Sequence, residues 1–245
     1  MSVATFARVG INRALRPLGV RMVRDRSIDP AIRPTLSAKE TITAARQAGL
    51  SVCDFVDAYG AEPRSSSAVV QAMLQIGALG NHVDRVCEIG PESGRYAEKV
   101  IAALGPSTYE IYAATPDWLP YLRRLPNLVE RPTDGHTLAA TASASVDLVH
   151  AHRVFVHTPF VTTVGYLEEM ARVVRWRGVV AFEVVTESCL EGAPGTWVSQ
   201  HADICSVAPR AWIVDLMERR GLTLAGTHFV PFGDALTELL VFREL

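Results

Sequence analysis

The chain has 245 residues, 49% of them hydrophobic and 20% charged, with a formal net charge of −2. That length suits one sizeable α/β domain with an extension, or two small domains, and the composition is that of a globular protein with a full core. Charge this close to balance provides no electrostatic drive toward nucleic acid, so none is expected as a partner.

The four cysteines, Cys53, Cys87, Cys189 and Cys205, are scattered, with no C-x-x-C pair and no His/Cys ligand spacing. Reduced thiols in a cytoplasmic protein without a structural metal are expected. No apolar run reaches the ~18 residues that cross a bilayer. The N-terminus lacks the continuous apolar stretch and small-residue cleavage site of a signal peptide.

Residues 1–34 read as a basic extension, with Arg8, Arg13, Arg16, Arg21, Arg24 and Arg26 interleaved among Phe6, Val9, Ile11, Leu15, Leu18 and Val20. A short amphipathic helix of this kind would touch an anionic membrane surface peripherally. Pro17 and Gly19 interrupt it, so packing on its own domain or on a partner subunit, as in a homodimer, is the plainer reading. Residues 35–80 read as a helical cap. Ser37 and Glu40 are spaced as a capping box ahead of a helical pattern that runs to about Gly49. Ser51 and Asp54 repeat that spacing, and a third helical pattern covers 66–79.

From residue 81 to residue 245 the pattern alternates. "RVCEIG" reads as strand one and 94–104 as its helix; "TYEIYAA" is strand two, followed by a helix at 117–124. "LVERP" is a short strand three and "SVDLVHAH" strand four. Phe160, Val164, Leu167, Ala171 and Val174 recur at helical spacing, and "GVVAFEVV" is strand five. A last helix at 209–220 and two closing strands at 222–230 and 236–243 follow an insertion at about 186–208. Strands alternating with helices predict a doubly wound, mostly parallel sheet. The insertion and the N-terminal helices are expected to wall an acceptor pocket.

In such a sheet, ligands bind outside the carboxyl ends of the strands where the strand order reverses. The turn after strand one, "EIGPESG", offers Glu88, Gly90 and Gly94 in acid-x-Gly-x-x-x-Gly spacing. The dinucleotide fingerprint fails because Glu92 and Arg95 stand where glycines belong, and no G-K-[ST] completes a phosphate loop. Glu92 would repel a pyrophosphate, which favours a cofactor without phosphates.

The segment 84–185, and more loosely the run to Leu245, resembles the S-adenosylmethionine (SAM)-dependent methyltransferases with a seven-stranded Rossmann-like sheet. "VCEIGPESGRY", "YEIYAATPDWLPYLRR", "PTDGHTL", "SVDLVHAHRVFVH", "YLEEMARVVRWRGVVAFEVV" and "TELLVFREL" match that family's motifs in order. The resemblance implies an antiparallel last strand and SAM as cofactor. It implies a cofactor site made of Glu88, Gly90, Pro91, Glu92, Ser93 and Gly94, then Ala113, then Asp134, Gly135 and His136 at the adenine, then Ala151 and His152 toward the sulfonium. The family ends strand two with an acid that grips both ribose hydroxyls; here that position is Ala113, with Glu92 or Asp117 as nearby substitutes.

A methyl transfer to a hydroxyl calls for alignment and often for a base, a role that histidine suits. His152 at the mouth of strand four and His157 just beyond it are the candidates. Glu183, inside an apolar strand five, must be paired to be tolerable. It would orient a histidine, bind an acceptor hydroxyl or hold a divalent ion with Glu187, but structural pairing, for example with Arg153, is the plainer reading and no metal is expected. The "INRALRPLGVRMVR" start resembles the N-termini of enzymes of bacterial surface-polysaccharide pathways, and that resemblance implies a hydroxyl of a sugar, an oligosaccharide or a lipid-linked glycan as acceptor. Methylation of a small metabolite, and a non-catalytic protein of the same fold, stand as alternatives.

Overall fold

The computed structural model describes residues 36–59, 65–80, 83–190, 204–232 and 235–244. The basic extension, Trp197 and most of the 186–208 insertion lie outside the described residues.

Helix α1 (Ala38–Ala48) begins with the capping box the sequence spells: the Ser37 hydroxyl accepts from the Glu40 amide, and Glu40 accepts from the Ser37 amide at 2.9 Å. Helix α2 (Val52–Tyr59) begins with half of that arrangement, the Asp54 amide donating to Ser51 Oγ at 3.0 Å while the Ser51 hydroxyl donates to the Asp54 carboxylate at 2.9 Å. Helix α3 (Ser65–Ile76) is capped from a distance: Asp57 on α2 accepts from the Ser66 amide and hydroxyl at 3.3 and 2.6 Å.

Seven strands follow: β1 (Arg85–Ile89), β2 (Thr108–Tyr112), β3 (Leu128–Arg131), β4 (Val146–Ala151), β5 (Val174–Val184), β6 (Leu222–Phe232) and β7 (Ala235–Glu244). Helix α4 (Arg95–Leu104) joins β1 to β2, and a 3₁₀ turn (Pro116–Trp118) with short α5 (Leu119–Leu122) joins β2 to β3. Helix α6 (Phe160–Val173) precedes β5 and α7 (Arg210–Arg219) precedes β6. The strand order is β3-β2-β1-β4-β5-β7-β6. Strands β1 to β5 are parallel, and β7 runs antiparallel to both β5 and β6. The fold is therefore the mostly parallel, doubly wound seven-stranded sheet the sequence predicts. The order reverses between β1 and β4, which marks the ligand crevice.

Strand alternation divides the core in two. One face carries Ile89, Tyr112, Val149, Ala151, Phe182 and Phe242, covered by α6 and α7 through Leu167, Met170, Ile213 and Met217. The other carries Val86, Tyr109, Ile111, Leu148, Ala181 and Val241, covered by α4 through Tyr96, Ala97 and Val100. Helix α3 joins this second layer: Val69, Val70 and Met73 are buried against the same cluster. Of the three helices expected as a cap, this one is a wall of the sheet sandwich, because its apolar stripe is needed there.

The "RWRG" segment departs from a simple turn. Val174 pairs with Val146 and Val179 with Leu148, so the residues between form a bulge inside β5. Gly178 is required there, since a Cβ would meet Val174 Cγ2 at 2.5 Å and the Arg175 carbonyl at 2.7 Å.

Candidate active site

The turn after β1 bends at Gly90, whose φ is +65° and whose amide donates to the Tyr112 carbonyl at 2.9 Å, extending the β1–β2 ladder. A Cβ on Gly90 would lie 2.6 Å from Val154 Cγ2, so the residue that approaches this glycine comes from the loop after β4. Pro91 and Ser93 are buried and Glu92 is exposed. Gly94 has φ +75° and caps α4; a Cβ there would lie 2.5 Å from Leu122 Cδ2, so this glycine serves helix packing. Glu92 holds a left-handed φ of +43°, a conformation side chains rarely adopt.

Beside Gly90 opens a crevice of about 220 Å³, at the carboxyl ends of β1, β2 and β4. Glu92, Ala113, Trp118, His152 and His157 line it with Gly90. Arg153, Val154 and Thr158 complete the β4 side. His157 sits in the turn before α6 rather than opening that helix, and its ring lies 5.8 Å from that of Phe232.

A chain of buried polar groups runs beneath the crevice, all on the face covered by α4. His152 Nδ1 lies 2.9 Å from Glu183 Oε1, and Thr237 donates to Glu183 Oε2 at 2.9 Å. Burial pushes the Glu183 carboxyl up, but the hydrogen bond and charge of His152, the Arg153 charge and the Thr237 hydroxyl outweigh it and hold the group below its ordinary range. An ionised carboxylate only accepts, so Nδ1 carries a proton toward Glu183, and whenever the ring is neutral Nε2 presents its lone pair. Among the described residues that Nε2 has no hydrogen-bond partner. Tyr96, in the first turn of α4, stacks on the imidazole at 4.2 Å and 22°. Arg153, expected as a partner of Glu183, instead places its guanidinium over the Phe232 ring at 5.2 Å and donates to the Pro231 carbonyl at 3.1 Å.

Next to this pair, Tyr109 donates to Glu88 Oε2 at 2.8 Å and lies 2.9 Å from His150 Nε2. Burial raises Glu88 to about 8, only partly offset by the Tyr109 hydrogen bond and reinforced by the charge of Glu92. Burial also drives His150 well below its ordinary value, so its ring is neutral, and its Nδ1 has no partner among the described residues.

No family model matches the sequence, and no curated protein matches it. Solved structures do. The N-methyltransferase NodS of Bradyrhizobium japonicum WM9, solved with S-adenosyl-L-homocysteine (SAH), matches with a TM-score of 0.56 at 14% identity, over 74% of this chain and 87% of its own. Magnesium protoporphyrin IX methyltransferase (ChlM) of Synechocystis PCC 6803, with bound SAH, gives 0.56 at 12% identity over 97% and 99%. Geranyl diphosphate methyltransferase in complex with SAM gives 0.57 at 13% identity over 73% and 85%.

This chain has the methyltransferase fold. At these identities the likeness is one of architecture, and the strand order agrees with it.

Within the methyltransferase fold, the residues expected at the site, apart from Pro91, Ser93 and Gly94 in the turn after β1, fall into three groups. Gly90, Glu92, Ala113, His152 and His157 converge on the crevice. Glu88, Ala151 and Glu183 lie buried in the strands beneath it. Asp134, Gly135 and His136 form an exposed turn after β3 and do not line it. The Asp134 carboxylate accepts from the Thr137 hydroxyl and the His136 and Thr137 amides at 2.6, 3.0 and 2.7 Å, which hold it far below the usual range. Tyr96, Tyr109, Val154 and Thr237 fall within the matched segments, but nothing in those segments marks them as site residues; only the neighbouring strands and α4 make them part of the site.

Proposed function

We propose that this protein is a SAM-dependent methyltransferase acting on a hydroxyl group, with His152 as the general base. The observation that carries the reading is the buried Glu183–His152 pair, which leaves Nε2 of His152, a residue of the crevice lining whose ring is buried beneath it, without a partner among the described residues. A nitrogen so placed can take the proton of an acceptor hydroxyl, while Glu183 stabilises the imidazolium that results. Tyr96 keeps the ring from rotating.

The residues present fit SAM on two counts. The turn after β1 that lines the crevice carries Glu92, which would repel a phosphate and tolerates a cation. The small Ala113 and Ala114 leave backbone open at the end of β2, beside the left-handed bend at Gly90. The bound cofactor would supply an electrophilic methyl group. Gly90, Glu92 and Ala113 would hold it near the ends of β1 and β2, with Trp118 packed at the base side. Glu88, Pro91, Ser93 and Gly94 would support the loop from below. Asp134, Gly135 and His136 reach the adenine in this reading only if the turn closes toward the crevice. For the acceptor, a sugar or glycan hydroxyl is the favoured class, on the strength of the arginine-rich extension; His157 and Thr158 would meet it.

A non-catalytic protein of the same fold is the second reading, favoured by Val154 standing over Gly90 and by Ala113 in place of an acid. Calorimetry with SAM and SAH separates the two. Binding, together with transfer of labelled methyl to glycan or small hydroxylic acceptors that His152→Ala abolishes while SAH affinity stays, supports the enzyme. Failure to bind either compound sinks it.

A further inference from the structure

We propose that Glu92 is the ribose clamp of this site, standing in for the missing acid at the end of β2. The inference rests on the cofactor reading above and concerns which residue sets recognition of the nucleoside. A vicinal diol offers two O–H donors, and a single carboxylate accepts both at once, which no neutral side chain does as well. Strand β2 ends at Tyr112, and the next residue, Ala113, faces the crevice with nothing to accept a hydrogen bond. Glu92 lines the same crevice and, among the described residues that do, is the one bearing a carboxylate. Glu88 is buried below, already engaged by Tyr109. Asp117 sits exposed in the 3₁₀ turn and is not part of the lining.

The backbone adds a second, independent observation. Glu92 is held at φ +43°, where glycine would be more comfortable, between two glycines that do use that freedom at Gly90 and Gly94. A side chain kept in a strained turn beside a ligand crevice points to a role for that side chain. The loop after β1 and the end of β2 are neighbours at the crevice, joined by the Gly90–Tyr112 hydrogen bond, so loss of the acid from one and its gain on the other conserve the same contact.

The test compares SAH with its 2′,3′-dideoxy analogue by calorimetry on the full chain, for the parent protein, Glu92→Gln, Glu92→Gly, Asp117→Asn and Glu92→Gly/Ala113→Asp. The parent should prefer SAH over the dideoxy analogue by at least about tenfold, the discrimination expected of a site built to hold a hydroxyl pair. Glu92→Gln and Glu92→Gly should bind SAH about tenfold more weakly and lose that preference. Glu92→Gly should at the same time melt at a higher temperature, because the strain is gone, so its weaker binding is not a folding defect. Ala113→Asp added to Glu92→Gly should restore the preference.

The proposal is overturned if Glu92 variants keep the preference, if Asp117→Asn is the variant that loses it, or if Glu92 variants weaken SAM but not SAH, which would make Glu92 a partner of the sulfonium. Absence of SAH binding by the parent protein would overturn the cofactor reading itself, whereas binding that ignores Glu92 overturns this inference alone.

Discussion

His152, the residue just after β4, and Glu183 on the adjacent parallel β5 lie side by side, Nδ1 to Oε1 at 2.9 Å, with both side chains fully buried. The register of β4 and β5 puts them there: Ala151 pairs with Phe182, and the residue after each makes the contact. Removing one partner leaves an uncompensated buried group, which costs about 3 kcal/mol or more. Glu183→Ala should therefore destabilise the protein by about 3 kcal/mol in urea unfolding. Glu183→Gln should cost less, since its amide oxygen still accepts from Nδ1. The double variant with His152→Ala should be less destabilised than the sum, because the lost contact is shared. An additive result would mean the pair is not coupled.

Turnover should separate the two roles of that carboxylate. Glu183→Gln keeps the ring oriented but removes the charge that stabilises an imidazolium, so kcat should fall by about tenfold to a hundredfold, within the range for a positioned base, while KM for the acceptor changes little. A rise in KM with kcat unchanged would assign Glu183 to binding.

The Glu88–Tyr109–His150 group should make stability depend on pH in two ways. Glu88 is raised from 4.5 to about 8, so between those values the fold binds a proton the unfolded chain has released, and its contribution to stability falls as pH rises. His150 is lowered from 6.5, so below that value the unfolded chain takes up a proton the fold refuses, and its contribution rises with pH up to about 6.5. The two slopes oppose each other from pH 5 to 6.5, and above that Glu88 acts alone. Denaturant titrations should show little change from Glu88 and His150 up to pH 6.5, then a decline of at most ~1.4 kcal/mol per pH unit toward pH 8. Glu88→Gln should abolish the decline and uncover the rise below pH 6.5. A decline that survives in Glu88→Gln would contradict the assignment.

The contact between Gly90 and Val154 gives a steric prediction. Gly90→Ala meets Val154 Cγ2 at 2.6 Å and a φ of +65°, two separate penalties. Together they should destabilise by about 2–4 kcal/mol. Adding Val154→Ala should recover the steric part and leave the backbone part, as read from thermal midpoints. No recovery would mean that Val154 does not sit over the turn.

Asp57 joins three helices, accepting from Ser66 at 2.6 Å and from Arg95 Nη1 at 3.0 Å while only 1% exposed. Asp57→Ala should cost about 3 kcal/mol and speed hydrogen exchange in the first turn of α3 and of α4, the helix that follows the candidate cofactor turn. Exchange unchanged in α4 would show that Arg95 is anchored by other means.

How far the sequence carried depended on the range of the signal. Caps at Ser37 and Ser51 are three-residue patterns and formed as spelled. The turn at Gly90 stood out because a left-handed bend needs glycine. Strand five ran longer than its apolar stretch, Val174–Val184 instead of 178–185, because the bulge at Trp176 and Arg177 interrupts the pattern without ending the pairing. The cap helices were harder to place. A stripe at helical spacing shows that a helix buries one side, not what it buries it against, and α3 proved to cover the sheet.

The sequence by itself determined the succession of helices and strands, the caps at Ser37 and Ser51 and the position of the ligand turn, because periodicity and capping act within a few residues. Only the tertiary structure decided which polar groups meet. Tyr109 and His150 are 41 residues apart, and His152 and Glu183 are 31 apart. Their contacts follow from sheet order, with β1 between β2 and β4 and β5 beside β4. Strand order is set by the sum of many packing contacts across the whole core, and no local spacing records it.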